Sequence, residues 1–151
     1  MQKNKRQRVR SKESVVASLA EILTLIRLGR ANTRLAIEGS SEYGRAIVAD
    51  RLATLTELGL VHENDAGEST RGRAPRLVQF CADRALIFVA TLGSNSIGAG
   101  LVDLCGNLVT EHHETADLSE RPDDIVDRIL RLVDWTMSRQ PEGREIWGIS
   151  I

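Results

Sequence analysis

The sequence predicts an α+β chain in two parts: three helices and a hairpin, followed by a β-β-β-α-β segment. Three observations lead there. Up to residue 58 the apolar residues recur at steps of three and four, which is the helical period; from residue 86 they come in short runs separated by turn residues, the pattern of strands. Between these regions a polar, glycine-bearing stretch, residues 64–73, separates two short β-prone runs. Finally, the formal net charge of −1 conceals a division: residues 1–80 carry fourteen Lys/Arg against nine Asp/Glu, and residues 81–151 carry six against twelve. A basic half suits a polyanionic partner, and the acidic half is expected to do something else.

Residues 1–12 hold Lys3, Lys5, Arg6, Arg8, Arg10 and Lys12 with no acid among them. This segment is read as a basic disordered arm, either a solvated tail or an arm that follows phosphates or enters a minor groove. Residues 13–80 form the first folded domain. A helix over 14–28 carries the apolar stripe Val16, Leu19, Ile22, Leu23 and Ile26 and stops at Gly29. A short helix over 34–39 follows, capped by Asn32 or Thr33, and the polar run Gly39 to Gly44 makes a turn. A third helix over 45–58 buries Val48, Leu52, Leu55 and Leu58 and stops at Gly59. Strands at 60–62 and 76–80 complete a hairpin, and three helices followed by a hairpin is the order of a winged helix-turn-helix.

After a short junction the second domain spans residues 85–151. Strands are expected at 86–92, 97–104 and 108–113, a helix with Pro122 in its first turn over 122–139, and a fourth strand over 145–151. With 3% aromatic residues, both cores must be built from Leu, Ile, Val and Ala. An unfinished sheet of this kind leaves an open edge that could pair with another chain.

The chemistry these patterns suggest is duplex DNA recognition. The third helix of such a domain enters the major groove by its N-terminal end. Opposite Val48 and Leu52 it offers Arg45, Ala49 and Asp50, with Gly44 and Ala46 allowing close approach. Arg45 suits a guanine edge or a phosphate. Asp50 would repel phosphate, so it accepts from a cytosine amine or pairs with a neighbouring arginine. The alternative for Arg45 and Arg51 is an ordinary solvated helix face. The hairpin loop adds Arg71, Arg73 and Arg76 around Gly72 and Pro75, a positive tip suited to a narrow minor groove, or else a merely soluble one.

These segments together resemble the ROK regulators, the family named for repressors and sugar kinases. The residues in register are Ile22-Leu23-Thr24-Leu25-Ile26-Arg27, Gly44-Arg45-Ala46-Ile47-Val48, Leu58-Gly59-Leu60-Val61, Ser69-Thr70-Arg71-Gly72-Arg73-Ala74-Pro75 and Leu101-Val102-Asp103-Leu104-Cys105-Gly106-Asn107-Leu108. The resemblance implies that residues 85–151 are the opening segment of an actin/ribonuclease-H-like kinase domain, truncated here. It further implies a DNA-binding transcriptional regulator, more often a repressor, acting as a homodimer on a two-fold operator, with carbohydrate metabolism as its setting and a sugar effector read by the kinase-like domain. Two departures stand out: Glu38 replaces a small apolar residue of the family's second helix, and Glu42 replaces a glycine of its turn, which would loosen that turn. A sugar kinase of the same family and a non-catalytic protein-binding module are the alternative functions. Against the kinase, Thr91 stands where the family's phosphate loop has an aspartate, so the sequence is read as non-enzymatic.

Other classes are excluded more directly. No apolar run reaches the ~20 residues of a membrane span, so no membrane partner is expected. The basic N-terminus has no apolar segment behind it, so no secretory signal is read there. Cys81 and Cys105 form no disulfide framework, and a cytoplasmic setting follows. Gly93, Gly98 and Gly100 lie between strands rather than before a helix, which is not a dinucleotide fingerprint. His112 and His113 point to opposite sides of a strand without partner ligands. No cofactor and no metal are expected.

Overall fold

The computed structural model of the chain describes residues 2–64, 76–116 and 121–151, with side chains from Lys12 onward. It is a mixed α+β structure that divides into two units, Met1–Cys81 and Ala82–Ile151.

In the first unit helix α1 (Gln2–Arg27) begins at Gln2, not near Ser14, so its backbone is helical through the segment read as a disordered arm. Residues 3–12 contain neither glycine nor proline, and Lys, Arg and Gln are good helix formers. Extending a helix already nucleated by its packed half costs far less than starting one. The buried stripe also differs from expectation: Val16 is 64% exposed, and the turn around it is buried through Ser18 instead.

Helix α2 (Arg34–Ser40) is capped by Thr33, whose Oγ1 accepts from the Ala36 amide at 3.1 Å. Helix α3 (Arg45–Glu57) buries Val48, Leu52 and Leu55. Leu58, expected in that stripe, is the C-cap and 49% exposed, because the helix closes there. The Leu60 amide then reaches back to the Leu55 carbonyl at 2.9 Å, which requires the left-handed conformation of Gly59 (φ 70°).

Strands β1 (Val61–Asn64) and β2 (Leu77–Phe80) pair antiparallel, Val61 opposite Phe80. The Val78 amide also donates to the Asn32 carbonyl at 2.8 Å, so β2 anchors the start of α2. The core unites Ile22, Ile26, Ile37, Val48, Leu52, Leu55, Val61 and Val78, aliphatic throughout.

The second unit holds a four-stranded mixed sheet. Strands β3 (Ala85–Leu92), β4 (Ser96–Asp103) and β5 (Leu108–Thr115) form an antiparallel meander. Helix α4 (Pro122–Met137) follows, and β6 (Glu145–Ser150) returns parallel to β3, giving the order β5-β4-β3-β6. Leu86, Phe88, Ile97, Ala99 and Leu101 pack with Leu132 of α4.

The β4–β5 turn is closed by Asp103. Its Oδ1 accepts from the amides of Cys105 and Asn107, both at 2.8 Å, and its Oδ2 accepts from Asn107 Nδ2 at 2.8 Å. The adjacent histidines do point to opposite faces: His112 packs against Trp135 of α4, the ring centroids 4.7 Å apart and the planes tilted by 41°, while His113 lies against Gly98.

Candidate nucleic-acid interface

Helix α3, the turn before it and helix α2 are held by three ties. From α1, Glu21 Oε2 accepts from the Tyr43 hydroxyl at 2.7 Å and so ties down the turn between α2 and α3. That hydrogen bond to a carboxylate also raises the Tyr43 pKa, because ionising the phenol would break it and oppose two negative charges. Ser41 adds a local clasp, its Oγ donating to the Ile37 carbonyl at 2.8 Å.

The departure at Glu42 therefore does not loosen the turn. Among the described residues every positive φ belongs to a glycine, so Glu42 sits there without backbone strain, and the tyrosine–carboxylate bond closes the corner.

From β1, Glu63 receives the forked guanidinium of Arg34, at 2.8 Å from Nε to Oε1 and 3.1 Å from Nη2 to Oε2. The hydrogen bond to Glu63 raises the Arg34 pKa, and the pair leaves α2 oriented by a two-pronged contact.

The third tie comes from α3 itself. Arg51 Nε donates to Ser18 Oγ at 2.7 Å, and that hydroxyl donates to the Val15 carbonyl at 2.8 Å. With its side chain 15% exposed, Arg51 is a strut between α3 and α1, which departs from the solvated helix face that is its alternative reading. This also explains the buried Ser18: the α1 stripe must be polar where a guanidinium arrives.

What α3 shows to solvent can now be set out. Arg45, Ala46 and Asp50 are exposed and Ala49 is half-buried. Arg45 has no ion-pair partner among the described residues. Asp50 is paired with Arg51, the second of its two sequence readings, which neutralises a charge that would repel a polyanion.

Between α2 and α3 lies an open groove of about 260 Å³ lined by Arg34, Leu35, Glu38, Arg45, Val48 and Ala49. Leu35 is 78% exposed at its rim and Ile47 is 43% exposed beside Arg45. Sequence reasoning missed both. In a seven-residue helix reading Arg-Leu-Ala-Ile-Glu-Gly-Ser, periodicity cannot tell which of Leu35 and Ile37 faces inward.

Arg76 is exposed immediately before β2. Arg71, Gly72 and Arg73 lie outside the described residues, as does most of the loop that carries them. The outer row of the hairpin is polar, with Asn64 Nδ2 donating to Gln79 Oε1 at 3.0 Å and His62 beside them. No three His, Cys, Asp or Glu among the described residues group as metal ligands. In the second unit Thr91 is exposed near the end of β3. The turn after it is a tight one, closed by the Gly93 amide on the Ser96 carbonyl at 2.8 Å.

Comparison with known proteins adds a family context. Over 131 residues, 86% of the chain, it is 27% identical to the "Putative xylose repressor" of Caldicellulosiruptor sp. (strain Rt8B.4). Its fold matches the crystal structure of a ROK family transcriptional regulator, a homologue of the E. coli MLC protein. That superposition has a TM-score of 0.64 with 21% identity and covers 88% of the chain. The chain is similar to the ROK family of transcriptional regulators.

It spans about a third of the length of each of these two proteins, 33% and 34%. No family model matches the sequence. Both similar proteins are named as regulators, not as enzymes. No helix among the described residues is long and apolar enough to cross a membrane.

Proposed function

We propose that the protein is a DNA-binding transcriptional regulator of the ROK type, acting as a repressor, with residues 13–80 as a winged helix-turn-helix. The observation that carries this reading is the outer face of α3. Arg45, Ala46, Ala49 and Asp50 stand on a helix whose inner face is locked by Val48, Leu52 and Leu55 and whose neighbours are held by the Tyr43–Glu21, Arg34–Glu63 and Arg51–Ser18 ties. A recognition helix must keep its register on the duplex, and such ties supply that.

Arg45 is the base-reading residue of the proposal. Ala46 and Ala49 allow the helix backbone close to the groove, and Asp50 is restrained by Arg51. Arg76 is a phosphate contact at the root of the wing, and Arg71, Gly72 and Arg73 form its tip on the strength of sequence alone. The partner is double-stranded DNA, bound by a homodimer on a two-fold site. Residues 85–151 are the opening of a kinase-like effector domain, and the protein does not phosphorylate sugars, since Thr91 cannot supply the carboxylate a phosphate loop uses to manage metal and phosphate charge. A cytoplasmic location accompanies this reading.

Selection of bound duplexes from a random pool tests it, followed by mobility-shift titration of Arg45→Ala on the selected site. The variant should bind about 5- to 150-fold more weakly, about 1–3 kcal/mol, with relaxed choice at one position. Wild-type affinity should fall with salt at a logarithmic slope of roughly −0.9 per phosphate neutralised. A pool that returns no enriched sequence, or an Arg45→Ala variant with unchanged affinity and choice, overturns the assignment.

A further inference from the structure

The groove between α2 and α3 contains a carboxylate whose natural partner is engaged elsewhere. Glu38 lines it, half-buried, together with Arg34, Leu35, Arg45, Val48 and Ala49. Four residues apart, Arg34 and Glu38 stand on one face of α2, where an opposite-charge pair ordinarily joins. Arg34 instead commits both prongs of its guanidinium to Glu63 of β1, at 2.8 and 3.1 Å. Arg45 shares the groove, yet neither Arg45 nor Glu38 takes part in an ion pair among the described residues.

At a DNA surface such a carboxylate needs a specific answer. The groove shares Arg45 and Ala49 with the outer face of α3, so it is continuous with the proposed interface. Leu35, 78% exposed, stands one turn before Glu38, and Val48 and Ala49 are apolar, so a duplex covering the groove strips water from Glu38. Phosphates repel it as well. Only a hydrogen-bond donor offsets this, and the major groove offers two, the N4 amine of cytosine and the N6 amine of adenine. Adenine sets its N7 acceptor beside the amine, against the second carboxylate oxygen; cytosine has only a C–H there. Guanine and thymine present acceptors.

The base pair concerned follows from Arg45. Guanine O6 and cytosine N4 of one pair bond to each other, so side chains on both atoms would touch. Arg45 and Glu38 face one groove without pairing, and so address different base pairs.

We propose that Glu38 is a second specificity-determining residue. It accepts from the N4 amine of a cytosine in a base pair next to the one Arg45 reads, and Leu35 walls the contact from water. The inference rests on the reading of α3 as a recognition helix, and it gives α2 a part in choosing sequence beyond holding α3 in place.

The test repeats the random-pool selection with the full 151-residue chain as wild type, Glu38→Ala and Glu38→Gln. Mobility-shift titrations then use the selected duplex and its single-pair variants. Glu38 has no side-chain bond among the described residues, so both variants should keep the wild-type circular dichroism. Wild type should prefer a C·G pair at one position, with other pairs there at least about fivefold weaker. Glu38→Ala should bring that ratio to within about twofold, and Glu38→Gln should move the choice toward adenine, whose N6 and N7 match an amide. The position that Arg45→Ala relaxes should be unaltered in both. Variants that select the wild-type sequence overturn the inference and leave the DNA-binding reading standing. So does a change confined to the Arg45 position, because Glu38 would then support the guanidinium, and so does a Glu38-dependent position that prefers an A·T pair. A wild-type pool with no enriched sequence overturns both readings.

Discussion

The two units are built from the same aliphatic stock but differ in what sets the angles between their elements. In Met1–Cys81 the long polar side chains run between elements: Arg51 to Ser18, Tyr43 to Glu21, Arg34 to Glu63. Among the described residues of Ala82–Ile151 there are local polar contacts, such as the Asp103 turn, beside links between elements such as Arg128 of α4 on the Thr115 carbonyl of β5, and the sheet itself is closed by small residues, Gly98 and Gly100 letting β5 approach β4. A bundle of short helices has few backbone bonds between elements, so side chains must set the angles between them. A sheet is registered by its own ladder and needs side chains only to pack. The difference places orientation control in the unit that carries the candidate interface.

Breaking each unit separately is the sharpest test of that contrast. Leu52→Ala, at 1% exposure in the helical core, should cost about 2–5 kcal/mol. Denaturant unfolding followed by hydrogen exchange should show the loss among amides of residues 12–64 and leave β3–β5 protected. Gly100→Ala should do the converse. A Cβ there would come within 2.7 Å of the Thr110 carbonyl oxygen, a backbone atom that cannot swing aside, at a cost of about 1–3 kcal/mol to the sheet.

Arg51→Ala comes next in size. It removes one hydrogen bond to a buried hydroxyl and releases Asp50, so stability should fall by about 1 kcal/mol. DNA affinity should fall further than stability alone accounts for, because α3 loses its strut while its exposed face becomes more negative. Equal affinity of the folded variant and the wild type would show that the strut does not position the helix.

The smallest effect is a pH dependence confined to the second unit. Burial pushes the Asp103 pKa up, but the hydrogen bonds from Asn107, Cys105 and Gly106 outweigh it and leave the value lowered. A carboxylate with a lowered folded pKa adds stability that is present above its unfolded value, near pH 4, and is lost as pH falls through the folded value. Melting of the β-unit should therefore decline on acidification in that window, and Asp103→Asn should flatten the decline. An unchanged pH profile in the variant would place the acid sensitivity elsewhere.

How much of this was legible beforehand depends on how local each feature is. The order of helices and strands follows from spacing that a short window contains, such as Val48-Leu52-Leu55 or the turn Cys105-Gly106-Asn107, and the structure keeps it with boundaries moved by a few residues. Helix α1 is the exception. Its charged first turns have no apolar pattern, so nothing local reveals that they continue a helix packed further along. For the candidate interface, Arg45, Ala46, Ala49 and Asp50 could be read from their position opposite the buried stripe. Leu35, Arg34 and the part played by Arg51 could not, since each depends on a residue far along the chain.

The amino-acid order alone settled which segments coil, which extend and where charge accumulates, because those properties arise from neighbours within one or two turns. Folding decided the rest: that β6 lies parallel beside β3 and that Arg51 turns inward to Ser18. Such outcomes depend on which distant surfaces meet, and a contact between residues thirty or more apart leaves no mark on the local periodicity of either partner.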